Sequence, residues 1–282
     1  MELPGITHIA TIVALLVPGF AIAQDAAAEP EAVQPILTDG PFQIDPTKRF
    51  VLRYDVRVGA QTRPAYFGSD EMVTSPDFRL NFDYARLKGL GQYGSPDGSA
   101  GPPRAFGLRG SLRFIGERSA DDYEELKGLE DVDASLELGI GVVYRQRNFE
   151  AYGDIRYGAI GHNGFVGELG ADAIAFPNDR WELRAGPRMV FGDDKFTDAY
   201  FGVDDSESSE SGLAAYNAEG GLLGAGLEAT ARYRFNDLWG VEAGIRADRI
   251  LNSAADSPIT DMGSEDQVRV RIGITRELIL QF

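Results

Sequence analysis

Apolar and polar residues alternate along most of the chain after residue 49. The pattern is clearest at its end, where the even positions from Val268 to Phe282 are apolar apart from Arg276 and the odd positions are mostly polar or small. A period of two indicates a β-strand with one apolar face. Nine earlier stretches repeat this alternation, beginning at Leu52, Phe78, Phe106, Leu136, Phe149, Phe165, Trp181, Leu227 and Trp239. The sequence therefore predicts ten strands.

Two all-β architectures could hold these strands. A soluble sandwich would need a partner layer for every apolar face, whereas a transmembrane barrel turns those faces to lipid, encloses the charged faces and removes every edge. Each strand is long enough to cross the hydrocarbon layer when tilted, and no helical pattern separates the strands. We therefore predict an antiparallel transmembrane β-barrel of about ten strands. Five aromatic residues near the ends of the predicted strands suit an interfacial girdle. They are Tyr144, Phe149, Trp181, Phe235 and Trp239.

The connections between the predicted strands alternate in length. Tight turns fall at Arg147-Asn148, 177–179 and Asn236-Asp237, and the longer loops are 60–76, 117–133, 192–216 and 251–267. Outer-membrane barrels combine short periplasmic turns with long outer loops. The connection 87–103 is the long exception on the tight-turn side, and a hairpin within it would give twelve strands. The final Phe282 is typical of the closing strand of such barrels.

The N-terminal segment predicts export. An apolar run from Ile9 to Phe20 precedes Ala21-Ile22-Ala23, which fits a signal peptide over residues 1–23, although Lys and Arg are missing before the run. Residues 24–48 are rich in Ala, Pro and acidic residues and are expected to form a flexible periplasmic lead-in. The barrel then occupies residues 49–282, and the predicted location is the cell outer membrane.

Charge and composition narrow the function. The net charge of -17 argues against nucleic-acid binding. The chain has no cysteine, which excludes a disulfide framework and a thiolate site. The charged strand faces would line the lumen, where ten strands leave little room. Arg and carboxylate side chains would then form a filled polar core, with a narrow charge-selective channel as the alternative. The residues predicted to face the lumen include Arg109, Arg113, Glu137, Glu168, Arg184, Arg188, Glu228, Arg232, Glu242 and Arg246.

Catalytic and metal chemistry are weakly indicated. His162 is the one histidine after the predicted signal, and loop residues Ser69, Asp70, Asp256 and Ser257 could approach it. Such a set would make a rim hydrolase, but no nucleophile elbow surrounds the serines. We expect a turn histidine, and no catalytic residue.

An acidic loop is the one candidate for a metal site. Asp204-Asp205-Ser206-Glu207 and Glu210, with Asp193-Asp194 nearby, offer the oxygen ligands that calcium prefers. Their spacing matches no EF-hand loop. We expect a solvated acidic loop, and therefore predict neither a bound metal nor a cofactor.

Six loop segments carry short motifs: 63–70, 126–133, 161–164, 200–203, 211–213 and 255–259. Together they resemble the MipA/OmpV family of MltA-interacting proteins, and they follow the family order across almost all of the chain beyond the lead-in. At the C-terminus, 273–278 takes the place of the family's ending and four residues follow it. The motif residues carried over are Tyr66, Gly68, Ser69, Asp70, Gly128, Gly161, His162, Gly164, Tyr200, Phe201, Gly202, Asp256, Ser257 and Pro258.

The resemblance implies an outer-membrane protein in contact with outer-membrane lipid and lipopolysaccharide. For some members it implies a scaffold that joins a lytic transglycosylase to a murein synthase, and for others a porin-like or surface protein. We therefore expect a non-enzymatic envelope scaffold linked to peptidoglycan synthesis. All six motifs lie on the long-loop side, whereas murein enzymes work in the periplasm. Either the scaffold uses 24–48 and 87–103, or the motifs serve the structure of the loops.

Overall fold

The computed structural model describes residues 48–87, 91–94 and 105–282. The expected signal peptide, and all of the lead-in except Lys48, lie outside the described residues. The described residues form one curled antiparallel sheet of eleven strands. The strands are β1 (Phe50–Pro64), β2 (Met72–Leu87), β3 (Gly91–Gly94), β4 (Ala105–Ile115), β5 (Ser135–Gln146), β6 (Phe149–Ile160), β7 (Phe165–Asn178), β8 (Trp181–Gly192), β9 (Gly221–Arg234), β10 (Trp239–Ile250) and β11 (Asp266–Gln281).

The order of the strands brings the two ends of the chain together. β1 pairs with β11, with Leu52 opposite Leu280 and Val58 opposite Ile274. The order then runs from β11 through each preceding strand to β4, while β2 pairs with the other side of β1. The two ends of this order approach each other, since Cα atoms of β2 and β3 lie within 8 Å of β4. The sheet thus curls into a barrel.

All ten predicted strands are confirmed. The described part of the connection between β2 and β4 adds only the short β3, which pairs with the end of β2 through Tyr84 and Gly94. The described residues therefore hold the ten expected strands and one short addition, eleven in all. No helix among the described residues is both long enough and apolar enough to cross a membrane.

Glycines permit the tight curl of the sheet. A Cβ atom on Gly59 would lie 2.0 Å from the carbonyl oxygen of Ile272, and one on Gly186 would lie 1.6 Å from that of Ala171. Both positions are in phase with the charged residues of their strands, so they lie on the concave side. Only glycine lets neighbouring backbones approach this closely.

Many large apolar side chains of the strands are exposed and many charged ones are buried, which is the reverse of a soluble protein. Phe106 is 84% exposed, and Leu108 and Ile140 are each 70% exposed. In contrast, Glu137 is fully buried and Arg57 is nearly so. Exposed apolar faces and buried charges are what a sheet surrounded by lipid requires.

Aromatic side chains gather at the short-turn end of the barrel. The ring centroids of Phe106 and Tyr144 are 4.7 Å apart, and those of Trp181 and Tyr233 are 5.0 Å apart. The guanidinium of Arg276, the one charge on the apolar face of β11, lies 4.5 Å from the centroid of the Trp239 ring. A cation over an aromatic ring at the edge of the apolar band explains this exception to the alternation.

The long loops at the other end and the short loop after β6 pack into a folded unit, here called the loop cap (residues 65–71, 116–134, 161–164, 193–220 and 251–265). It contains helices α1 (Asp194–Phe201), α2 (Asp205–Ser211) and α3 (Pro258–Asp261). Leu126 and Ile259 are fully buried within it. Loops usually run exposed over the surface, so two buried apolar side chains on separate loops indicate a stable core of their own.

Candidate functional site

The ten charged side chains named above as facing the lumen are all ion-paired. Arg109 lies 3.2 Å from Asp154, and its guanidinium is 4.2 Å from the Tyr152 ring centroid. The other pairs involve Arg113 with Glu137, Arg184 with Glu150 and Glu182, Arg188 with Asp172 and Glu228, Arg232 with Asp55 and Glu242, and Arg246 with Glu168 and Asp248.

Glu242 lies at the centre of one interior network. It accepts hydrogen bonds of 2.9 and 2.8 Å from the two terminal nitrogens of Arg79 and another from Arg57. Arg232 lies 3.4 Å away. A carboxylate shared among three guanidiniums offsets the cost of burying their charges.

Sequence reasoning omitted several members of these networks, among them Asp55, Asp77 and Arg156. Asp55 pairs with Arg79 and Arg232, and Asp77 pairs with Arg57 at 2.7 Å. Arg156 pairs with Glu137, Asp154 and Glu168. Each is in phase with charged neighbours on its own strand, so the alternation alone could have found it.

Glu137 joins the lumen to the loop cap. Its side chain is fully buried and accepts hydrogen bonds from Arg113 at 2.8 and 2.5 Å and from Arg156 at 2.9 Å. The Nε2 atom of His162 lies 3.2 Å from the Oε1 atom of Glu137, which also accepts one of the bonds from Arg113. The carboxylate thus ties β4 and β6 to the loop that follows β6.

The contacts of His162 are those of a structural residue in a turn. Its Nδ1 accepts a hydrogen bond from the backbone N–H of Gly164 at 3.0 Å, so Nε2 carries the proton that faces Glu137. The ring also packs edge-on against Phe196, with centroids 4.9 Å apart. Both ring nitrogens are therefore occupied, and neither contacts a serine.

The structure does not assemble the residues of the hypothetical rim hydrolase. The Ser69 hydroxyl accepts from the backbone N–H of Glu71 at 3.0 Å, and the Ser257 hydroxyl donates to the Phe201 carbonyl at 2.6 Å. Asp70 and Asp256 are exposed. The serines thus hold the backbone of the loop cap, and no hydrogen bond joins these four residues to His162 within the described part of the chain.

The glycines of the family motifs lie where segments of the loop cap come closest together. Gly68, Gly128 and Gly161 have φ angles of 91°, 88° and 89°. A Cβ on Gly161 would lie 2.0 Å from Oγ of Ser135, and one on Gly128 would lie 2.6 Å from the backbone of Glu210. These positions need glycine both for the left-handed backbone and for the close approach.

Three other motif residues, Gly164, Gly202 and Pro258, lie at the starts and ends of helices. A Cβ on Gly164 would meet the backbone nitrogen of Phe196 at 2.6 Å, which brings the β6–β7 loop against the start of α1. The N–H of Gly202 ends α1 by donating to Asp198 at 2.8 Å. Pro258 is the first residue of α3, where its missing N–H costs nothing.

The motif tyrosines are buried and hydrogen-bonded. The Tyr200 hydroxyl lies 3.1 Å from Oγ of Ser135, and its carbonyl accepts from Arg118 at 3.1 Å. The Tyr66 hydroxyl donates to Glu125 at 2.9 Å, and burial together with this carboxylate raises the pKa of Tyr66. Burial lowers the pKa of Arg118. These bonds join three of the long loops to one another.

The acidic loop uses its carboxylates as helix caps. Asp193 accepts from the N–H of Phe196 at the start of α1, and Asp204 accepts from the N–H of Glu207 at the start of α2. The Glu207 carboxylate in turn accepts from the Asp204 N–H, which completes a capping box. The Ser206 hydroxyl and the Glu207 N–H hold the pKa of Asp204 below its ordinary value.

Comparisons with known proteins agree with this architecture. The family model described as MltA-interacting protein MipA matches residues 56–278. Outer membrane protein YiaT of Escherichia coli (strain K12), so named only provisionally, is 27% identical over 146 residues, or 50% of this chain and 56% of the relative. "MltA-interacting protein" of the same strain is 26% identical over 155 residues, or 53% of this chain and 59% of the relative. The chain thus aligns with little more than half the length of these relatives.

Solved outer-membrane proteins show only a general likeness. An outer membrane channel from Pseudomonas putida F1 has a TM-score of 0.37 and 11% identity, covering 86% of this chain and 100% of its own. OmpT of Vibrio cholerae has a TM-score of 0.32 and 10% identity, covering 80% of this chain and 97% of its own.

Proposed function

The chain belongs to the MltA-interacting protein (MipA) family and is a β-barrel of the outer membrane, and we propose that it serves there as a non-enzymatic scaffold of the cell envelope. The observation that carries this proposal is the interior filled by ion pairs beneath a packed loop cap. A barrel whose interior is a network of ion pairs gives rigidity rather than a wide path for solutes.

The proposed partner is a lytic transglycosylase, with a murein synthase joined through the same scaffold. The transglycosylase is supported by the name MltA-interacting protein, which the family and one relative carry, and the synthase by the family resemblance; both are carried over here as hypotheses. The loop cap uses the motif residues for its own packing, which favours the short-turn end as the contact surface. That end is where a periplasmic enzyme would meet an outer-membrane barrel.

Site-specific photocrosslinking tests both the partner and the surface. A photoreactive residue at Asn236, exposed in the turn between β9 and β10, should crosslink to a purified lytic transglycosylase of the MltA type. The matched control is the same probe at Ser209, exposed on α2 in the loop cap. Crosslinking from Asn236 alone would support the proposal. No crosslink from either position, together with a gentle-detergent pull-down that recovers no murein enzyme, would refute it.

A narrow charge-lined channel is the second candidate. It is favoured by arginines that keep part of their surface accessible inside the barrel, since the side chains of Arg79, Arg109 and Arg113 are 27%, 31% and 27% exposed. Planar-bilayer recordings of the refolded protein test it. Unitary steps that change with Arg109→Ala and Arg188→Ala would establish a pore, and a folded barrel without conductance would exclude one.

A further inference from the structure

One arginine in the lumen differs from the others in its surroundings. Arg269 lies near the long-loop end of β11, in phase with the inward Arg271 and Thr275. The register places it directly opposite Arg246 of β10. On the other side of β11, Val270 pairs with Thr62 of β1. The antiparallel register therefore places the next residue of β1, Arg63, opposite Arg269. Three neighbouring strands thus carry an arginine in one row.

The carboxylates near this row are already committed elsewhere. Arg246 pairs with Glu168 and Asp248, and Arg271 pairs with Glu228. Arg63 uses its guanidinium to donate to the carbonyls of Pro64 and Ala65, at 2.9 and 3.0 Å.

Arg269 itself is left without a partner of opposite charge. Within residues 48–87, 91–94 and 105–282 it forms neither an ion pair nor a hydrogen bond. Its cross-strand neighbours in the register are Arg246 on one side and Arg63 on the other. Like charges directly opposite each other across a sheet are unfavourable.

Arg269 is nevertheless an exposed residue, although its phase on β11 points its side chain into the barrel. A planar guanidinium presents a fork of donors that matches the oxygens of a carboxylate or a phosphate. The barrel wall separates this position from the surrounding lipid, so a matching ligand would arrive through water rather than as a lipid headgroup.

We propose that Arg269, with Arg63 and Arg246 beside it, forms a binding site for a small soluble oxyanion, with a phosphate or carboxylate group, on the lumen wall at the long-loop end. A bound anion supplies the negative charge that Arg269 lacks. The site is independent of the scaffold hypothesis, because it lies inside the barrel and uses no residue of the short-turn end.

Titration of the full-length refolded barrel with inorganic phosphate tests the site. Calorimetry in a neutral detergent, at fixed ionic strength kept with chloride, should show saturable binding that Arg269→Gln weakens by about tenfold or more, since hydrogen bonds to charged groups are lost. The control is Arg249→Gln, which removes an arginine paired with Glu265 and Asp266 at the exposed rim and should leave the affinity unchanged. Acetate in place of phosphate distinguishes the two anion classes.

Thermal unfolding gives a second readout. In buffer without oxyanions, Arg269→Gln should unfold at the same temperature as the unsubstituted protein or higher, because it relieves repulsion. Phosphate should raise the midpoint of the unsubstituted protein but not that of the variant. If Arg269→Gln does not fold, Arg269→Lys keeps the charge while losing the planar fork and should bind phosphate more weakly. Absence of saturable binding of either anion, or equal affinity in all folded variants, would overturn the proposal.

Discussion

Glu137→Gln is the substitution that most directly tests whether the interior ion pairs stabilise the barrel. The Glu137 side chain is fully buried and accepts hydrogen bonds from Arg113, Arg156 and His162. Glutamine has nearly the same shape but no charge. The change therefore leaves two guanidiniums facing a neutral amide, while Arg156 stays 4% exposed and has little access to water.

The expected loss follows from the burial of the pair. Removing one partner of a buried ion pair typically costs about 3–5 kcal/mol, because the remaining charge is uncompensated. The amide oxygen of glutamine can still accept from one arginine, so we expect the lower end, about 3 kcal/mol. This is a large share of a total that is usually about 5–15 kcal/mol.

Urea unfolding of the refolded barrel in lipid vesicles, followed by tryptophan fluorescence, measures this loss. The matched control is Glu265→Gln, whose carboxylate pairs with Arg249 at 2.6 Å with 42% and 58% of the two side chains exposed. An exposed pair contributes about 0–1 kcal/mol. If both variants lost the same small amount, the interior pairs would not stabilise the fold and the reasoning would be refuted.

Three further substitutions probe the loop cap and the membrane edge. Gly128→Ala should make the loop cap sensitive to protease without unfolding the sheet, because the new Cβ would lie 2.6 Å from the backbone of Glu210. The control is Gly212→Ala, which has a similar φ of 78° but open space around the new Cβ, and this variant should be cleaved much more slowly. Ser135→Ala should destabilise the loop cap by about 1–3 kcal/mol, because it leaves the buried Tyr200 hydroxyl unsatisfied; equal thermal midpoints would contradict this. Arg276→Gln should cost about 0.5–1 kcal/mol and alter tryptophan emission through loss of the cation over Trp239, and unchanged emission would argue against that contact.

The sequence alone predicted the strands, their faces and the alternation of short and long connections. All of these follow from local geometry, because successive side chains in a strand point to opposite sides. For the same reason β3 escaped prediction: Gly91-Gln92-Tyr93-Gly94 is too short to display an alternation and begins and ends with glycine.

The family motifs were visible in the sequence, but their role was not. Six short segments, separated by tens of residues, meet in the loop cap, where Tyr66, Gly128, His162 and Tyr200 contact residues of other loops. Of the two interpretations left open by the sequence, their contacts favour the one in which the motifs serve loop structure. No periodicity along the chain encodes such a convergence, because it depends on which loops the curled sheet brings together.

The tertiary structure also decided which charges neutralise each other. The alternation placed arginines and carboxylates on the inward face. Arg57 nevertheless meets Glu242 across 185 residues of sequence separation, and among the described residues Arg269 pairs with no carboxylate. Both outcomes depend on register and curvature, which set the distances between side chains of remote strands. Composition and phase therefore determined that the interior is charged, and only the folded sheet determined where that charge remains unbalanced.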